Sequence, residues 1–169
     1  LYGDIECLAR EIKAPVVAIT GTNGKSTVTS LVGEMAKAQG IDVAVAGNIG
    51  TPVMHQWLSH KEAALWVLEL SSFQLDLTFS LKPTAATVLN VTPDHLDRHH
   101  SMQAYILAKQ RIYHHATLQV ANRDDSVTFP LKETHCISFG LNAPSKPDDF
   151  GVVAKDGAYY MARGQSLWL

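Results

Sequence analysis

From Ala18 to Gly40 the chain reads AITGTNGKSTVTSLVGEMAKAQG, with glycines, a lysine and hydroxyl residues set between an apolar run and a helical pattern. A strand, a glycine turn and a helix N-terminus together make an anion site. The first backbone N–H groups of the helix point outward, and its dipole favours negative charge. Gly21 and Gly24 let the backbone approach a phosphate, Lys25 can reach the outer phosphates, and Ser26 can set its hydroxyl on Mg²⁺. The common G-x-x-x-x-G-K-[ST] spacing requires glycine at position 19, where Ile19 stands. The loop is therefore the shorter Gly21-Thr22-Asn23-Gly24-Lys25-Ser26, followed by Thr27. An ordinary glycine turn beside a solvated lysine is the alternative, and the flanking strand and helix weigh against it.

A nucleotide site needs an acid for its metal. ALWVLELSSFQL supplies Glu69 at the end of a buried apolar run. A carboxylate there is costly unless paired or metal-bound; the alternative is a strand-end glutamate turned to solvent. NVTPDHLDRHH puts Asp94, His95, Asp97 and Arg98 beyond the end of a further apolar run, where ligands gather in open α/β sheets. Of the eight histidines, the pairs His99-His100 and His114-His115 read as solvated. Lys109 falls on the apolar stripe Met102, Tyr105, Ile106, Ile112, Tyr113 and Ala116 of one helix. Either its ammonium snorkels to water or it is aimed into a site. A kinase-like DFG at Asp149 and a GTPase-like NRDD at Asn122 lack their companion motifs and read as chance.

The elements that must carry these residues alternate. Strands are expected over 16–20, 41–46, 63–70, 85–91 and 118–121. A helix from Gly24 should bury Val28, Leu31, Val32, Met35 and Ala36 and stop at Gly40. Residues 47–52 form a loop, with Thr51 capping a short helix and Pro52 at its first position. A longer helix spans 101–116. Beyond position 130, CISFG reads as another strand and GVVAKDGAYYMA as a hairpin turning at Lys155-Asp156-Gly157. The fold class is α/β: a mostly parallel, helix-flanked sheet with a P-loop, plus a small C-terminal β-rich segment.

The 169 residues, 46% hydrophobic and 18% charged with net charge -2, can bury a real core and carry no basic footprint for nucleic acid. Cys7 and Cys136 are isolated, which favours a reducing, cytoplasmic setting. No apolar stretch suggests a membrane span or a signal peptide. The chain begins at Leu1 rather than methionine and ends in SLWL, so it is expected to be a piece of a longer protein.

Together, GTNGKST (21–27), GNIG (47–50), LELSSFQL (68–75), NVTPDHLDRH (90–99) and AKQRIY (108–113) resemble the Mur ligases, ATP-dependent amide-forming enzymes of peptidoglycan precursor synthesis. The shortened loop is that family's normal form. ELSSFQL resembles the branch that joins D-glutamate to UDP-N-acetylmuramoyl-L-alanine; folylpolyglutamate ligases share the loop but not this string. The resemblance implies that residues 1–14 are the tail of a uridine-nucleotide-binding domain. It implies that 15–169 are a central ATP-binding domain, incomplete at its C-terminus, with an adenine-contacting segment and an amino-acid-binding domain elsewhere in the polypeptide. It also implies roles. Lys25 and the amides of residues 21–27 hold the ATP phosphates, and Ser26 and Glu69 hold one Mg²⁺. His95 and a carbamylated Lys109 hold a second, and Asn48, Ser71 and Gln74 stand near the muramoyl substrate. Pro93 before Asp94, and the length of the segment between His95 and Lys109, depart slightly from the family pattern. Another P-loop enzyme, or a nucleotide-binding domain without catalysis, is the competing reading.

Overall fold

The computed structural model describes residues 1–168. Six parallel strands form one sheet: β1 (Val16–Thr20), β2 (Val43–Gly47), β3 (Leu65–Glu69), β4 (Ala85–Val88), β5 (Leu118–Asn122) and β6 (Cys136–Phe139), in the order β2-β3-β1-β4-β5-β6. The chain leaves β1 for the β2 edge, returns through β3, then continues on the other side through β4. Ile19 of β1 stands beside Glu69 of β3, and Thr20 beside Val88 of β4. Reversal of direction around β1 opens a crevice at the carboxyl ends of these strands, the usual ligand position in such sheets. A separate antiparallel sheet holds β7 (Phe150–Lys155), β8 (Ala158–Arg163) and β9 (Ser166–Trp168). Asp156 and Gly157, at φ 52° and 78°, form the two-residue turn of its first hairpin.

Helices cover both sheet faces, as parallel strands require. On one face α2 (Lys25–Ala38) packs over Ile19, Val43 and Val67. The other face carries α1 (Asp4–Glu11), α3 (Val53–Ser59), α4 (Ser72–Asp76), α5 (Leu96–His99) and α6 (Met102–Gln110) with the larger core of Trp66, Leu68, Leu75, Val88, Tyr105 and Ile112.

Several elements differ from the sequence expectation. On α2, Leu31 and Met35 are 56% and 60% exposed, and Thr29, Gly33 and Ala36 face the sheet instead. Gly33 sets this rotation: a Cβ there would come within 2.6 Å of Val45 Cγ2, so the helix sits down on small residues rather than on its largest apolar ones. Pro52 is the N-cap residue of α3, with φ -50° and ψ 135°, not its first helical residue, and no side chain caps the helix. Ser101 caps α6 by accepting from Ala104 N at 3.1 Å, and the helix tightens into a 3₁₀ turn at Arg111–Tyr113 before the expected end. Residues 4–11, for which no element was expected, form a helix whose Ile5 and Leu8 are buried in the sheet's own core. Its Glu6 accepts from Phe79 N, Ser80 N and Ser80 Oγ. Among the described residues no helix is long and apolar enough to cross a membrane.

Candidate active site

The glycine loop joins the carboxyl end of β1 to the N-terminus of α2. Gly24, directly before the helix, has φ 80°, a left-handed conformation that other residues adopt at a cost. The loop is stitched to the segment after β4. Thr22 N donates to Asn90 O at 2.9 Å, Asn23 N donates to Asn90 Oδ1 at 2.9 Å, and Asn90 Nδ2 donates back to Asn23 O at 3.0 Å. Thr92 N donates to Thr22 Oγ1 at 3.0 Å. Asn90 and Thr92 therefore hold the loop open, a role sequence reasoning did not assign. The available signal was an asparagine at the carboxyl end of a buried strand. Lys25 Nζ folds back onto the Thr22 carbonyl at 2.9 Å, and Ser26 and Thr27 are exposed on the first turn of α2.

Glu69 is 1% exposed, so it does not turn to solvent. Its Oε1 accepts from Asn48 Nδ2 at 3.1 Å, while Asn48 N donates to the Glu69 carbonyl at 2.8 Å. Gly47 makes this approach possible: its φ is +114°, and a Cβ there would overlap the Glu69 carbonyl oxygen. Glu69 Oε2 is buried with no partner. Leaving such an oxygen unsatisfied costs about 1–3 kcal/mol, which a divalent cation would offset. A hard cation therefore suits this carboxylate.

Lys109 is 2% exposed, and its ammonium does not snorkel. Nζ donates to the Gly21 carbonyl at 2.7 Å and lies 4.5 Å from the Tyr105 ring centre. Burial, aided by Lys25 and opposed by Asp94, pushes its pKa down to about 7. Tyr105 OH is 3.2 Å from Thr22 Oγ1, a second tie from α6 to the loop. His95 begins α5 with φ 51° and a half-exposed side chain, its Nε2 3.5 Å from Asp94 Oδ2. Among the described residues no three His, Cys, Asp or Glu side chains gather into a ready-made metal centre. Lys109 thus meets the loop directly, whereas Ser26 of the loop, Glu69 and His95 do not form one ligand set.

Ser71 and Gln74 are brought together as a capping box on α4. Gln74 N donates to Ser71 Oγ at 3.2 Å, and Ser71 N donates to Gln74 Oε1 at 3.1 Å. The S-x-x-Q spacing in SSFQ was a legible helix-start signal. His99 corrects the expectation of solvated histidine pairs. It is 8% exposed, its Nε2 lies 2.9 Å from Ser72 Oγ, and its ring stacks on Phe73 at 5.4 Å and 5°. Burial lowers its pKa, against the pull of Asp76. His100, His114 and His115 are exposed, as expected. The two short motifs set aside have structural roles: Asp149 accepts from Ser138 N, and Asp125 from Val91 N. A cavity of about 790 Å³, lined by Leu107, Arg111, His114, Gln119, Leu131 and Lys132 among others, shares no residue with the loop.

Comparison with known proteins places these features in a family. A model of the Mur ligase middle domain matches residues 19–166. A UDP-N-acetylmuramoylalanine–D-glutamate ligase of Legionella pneumophila (strain Lens) is 62% identical over all of this chain, which covers 38% of that protein. The ligase of the same name from Escherichia coli (strain K12) is 56% identical over 84% of this chain and 33% of its own length. The chain therefore spans well under half the length of these relatives. Among solved structures, a UDP-N-acetylmuramoyl-L-alanyl-D-glutamate–2,6-diaminopimelate ligase superposes with TM-score 0.70 at 22% identity, over 92% of this chain and 38% of that one. E. coli FolC in complex with DHPP and ADP superposes with TM-score 0.68 at 14% identity, over 99% and 52%. At these identities the two structures show a shared fold.

Proposed function

We propose, for a chain that belongs to the Mur ligase family through its middle domain, that these residues are the ATP-binding part of a ligase joining D-glutamate to UDP-N-acetylmuramoyl-L-alanine. In this reading the substrate carboxylate takes the γ-phosphoryl group of ATP, giving an acyl phosphate and ADP. The D-glutamate amine attacks the acyl carbon, and the tetrahedral intermediate collapses to the amide by expelling phosphate. Residues 15–169 form most of the central domain, and residues 1–14 are the tail of a uridine-nucleotide-binding domain docked through α1. The adenine-contacting and amino-acid-binding parts belong to the rest of a cytoplasmic polypeptide.

Within the loop of residues 21–27 the Thr22 and Asn23 N–H groups are taken by Asn90, and the remaining amides toward the start of α2 cradle the phosphates. Lys25 exchanges the Thr22 carbonyl for a phosphate oxygen, which places its charge where negative charge shifts during transfer. Ser26 and Glu69 would hold one Mg²⁺, and His95 with Lys109 a second; bound there, the ions would supply neutralisation of phosphate charge. Asn48 keeps Glu69 oriented and, with Ser71 and Gln74, borders the muramoyl substrate. An amine must be neutral to add carbon dioxide. The depressed pKa of Lys109 therefore supports a carbamate there, which converts a buried cation into an anion able to face a metal.

The observation that carries the reading is the convergence of Gly21, Lys25 and Lys109 at one loop, with an unsatisfied Glu69 oxygen on the strand beside it. The choice of D-glutamate rests on the identity to the two D-glutamate ligases. It is tested by assaying the complete polypeptide with ATP and UDP-N-acetylmuramoyl-L-alanine against D-glutamate, L-glutamate and diaminopimelate. Phosphate release with D-glutamate is the expected result. Release with another amine acceptor and not with D-glutamate would overturn the assignment.

A further inference from the structure

Helices α4 and α5 are five and four residues long. Helices this short do not hold themselves in water, so tertiary contacts must fix where they stand. Both begin at residues the proposed reaction uses: Ser71 and Gln74 at the start of α4, His95 at the start of α5. Among the described residues, one side-chain hydrogen bond links the two helices, between His99 Nε2 and Ser72 Oγ at 2.9 Å. The ring of Phe73, next on α4, meets two imidazoles. It stacks on His99 at 5.4 Å and meets His95 at 5.1 Å and 57°. His99 N donates to the His95 carbonyl at 3.0 Å, closing the first turn of α5. A continuous path therefore runs from His95 through His99 and Ser72 to the capping pair Ser71–Gln74.

We propose that His99 is a positioning residue. It clasps α5 to α4 through Ser72 and Phe73 and sets the distance between His95 and the Ser71–Gln74 pair. The inference rests on the functional reading above for the roles of the residues it positions. The phosphate loop is braced by Asn90, Thr92 and Lys109, none of which bonds His99. His99 reaches the loop only at one remove, through the Tyr105 ring at 5.2 Å, whose OH lies 3.2 Å from Thr22 Oγ1, so loss of the clasp should disturb the muramoyl substrate much more than ATP.

The test compares His99→Ala, Ser72→Ala and the double variant in the complete polypeptide. Removing one buried hydrogen bond predicts a KM for UDP-N-acetylmuramoyl-L-alanine raised about tenfold, with the KM for ATP within about twofold. The double variant should be no worse than His99→Ala alone, because His99→Ala already removes the Ser72 contact along with the Phe73 stack. His99→Gln, which can still bond the Ser72 hydroxyl, should recover part of the loss. Amide hydrogen exchange reads the clasp without activity: His99→Ala should speed exchange over residues 71–77 and 95–100 and leave residues 21–28 unchanged. A parallel rise in both KM values, additive single effects, or exchange that is unchanged or uniformly faster would overturn the proposal. If the wild-type polypeptide does not ligate, the functional reading fails, and the exchange pattern alone decides the clasp.

Discussion

Lys109 Nζ donates to the Gly21 carbonyl oxygen at 2.7 Å, so a residue 88 positions downstream closes the first turn of the phosphate loop from within the core. A buried lysine without a carboxylate against it is expensive, and the fold keeps it by lowering its pKa to about 7 from an ordinary 10.5.

That shift fixes a pH dependence. Between about pH 7 and 10.5 the unfolded chain binds the Lys109 proton and the folded chain does not, so stability rises with pH across this window. Below pH 7 the folded state carries the full penalty. In buffer free of carbon dioxide, Lys109→Met should stabilise the protein at pH 6 by roughly 2 kcal/mol, once the lost bond to Gly21 is set against the shift. The gain should shrink toward pH 10, and the same variant should lose ligation. Urea titrations at pH 6, 8 and 10 check this; a variant less stable than wild type at pH 6 contradicts it.

Glu69→Gln should leave the fold intact, since the amide has the same shape and its oxygen can keep the Asn48 contact. An amide is a poorer ligand for a hard cation. The Mg²⁺ concentration for half-maximal ligation should therefore rise about tenfold or more. Superimposable Mg²⁺ titrations for the two proteins would take Glu69 out of the metal site.

Glu6 gives an acid-side signature. Burial alone would raise its pKa. The Phe79 and Ser80 N–H groups, the Ser80 hydroxyl and Arg10 together hold it at about 2. The stability this contributes is present above about pH 4.5 and is lost as pH falls from there toward 2. With solvent screening at the Arg10 side allowed for, Glu6→Gln should cost about 2 kcal/mol at pH 7 and flatten the acid unfolding curve. Equal acid sensitivity of wild type and variant would rule the contact out as its source.

Gly33→Ala is a case where helix propensity and packing disagree. Alanine is better in a helix by about 1 kcal/mol, but its methyl would meet Val45 Cγ2, which a β-branched strand residue moves only at a cost. Overpacking of about 1–3 kcal/mol should win, and Val45→Ala should restore most of the loss. Chemical denaturation of the single and double variants decides the sign.

The local signals that reached the site were strong where backbone chemistry is specific. The glycines and Lys25 of the loop, the apolar run before Glu69, and the misplaced cation at Lys109 each mark a physical exception within one segment. What remained hidden depended on tertiary partners. No pattern within α2 shows that Gly33 must sit on Val45 and so expose Leu31 and Met35. The burial of His99 depends on Ser72 and Phe73, 27 and 26 positions away, and an isolated HH pair carries no trace of them. That residues 4–11 form a helix burying Ile5 and Leu8 in the core of the sheet likewise depends on partners far along the chain. The capping box at Ser71–Gln74 is the exception: its S-x-x-Q spacing is written locally.

The central claim, that a substrate carboxylate is activated by phosphoryl transfer at this loop, is tested most directly by isotope position. UDP-N-acetylmuramoyl-L-alanine labelled with ¹⁸O in both carboxylate oxygens is turned over by the complete polypeptide with ATP and D-glutamate, and the released phosphate is analysed by mass. An acyl phosphate transfers one carboxylate oxygen to phosphorus, so each phosphate released should carry one ¹⁸O. Unlabelled phosphate accompanying amide formation would contradict the account.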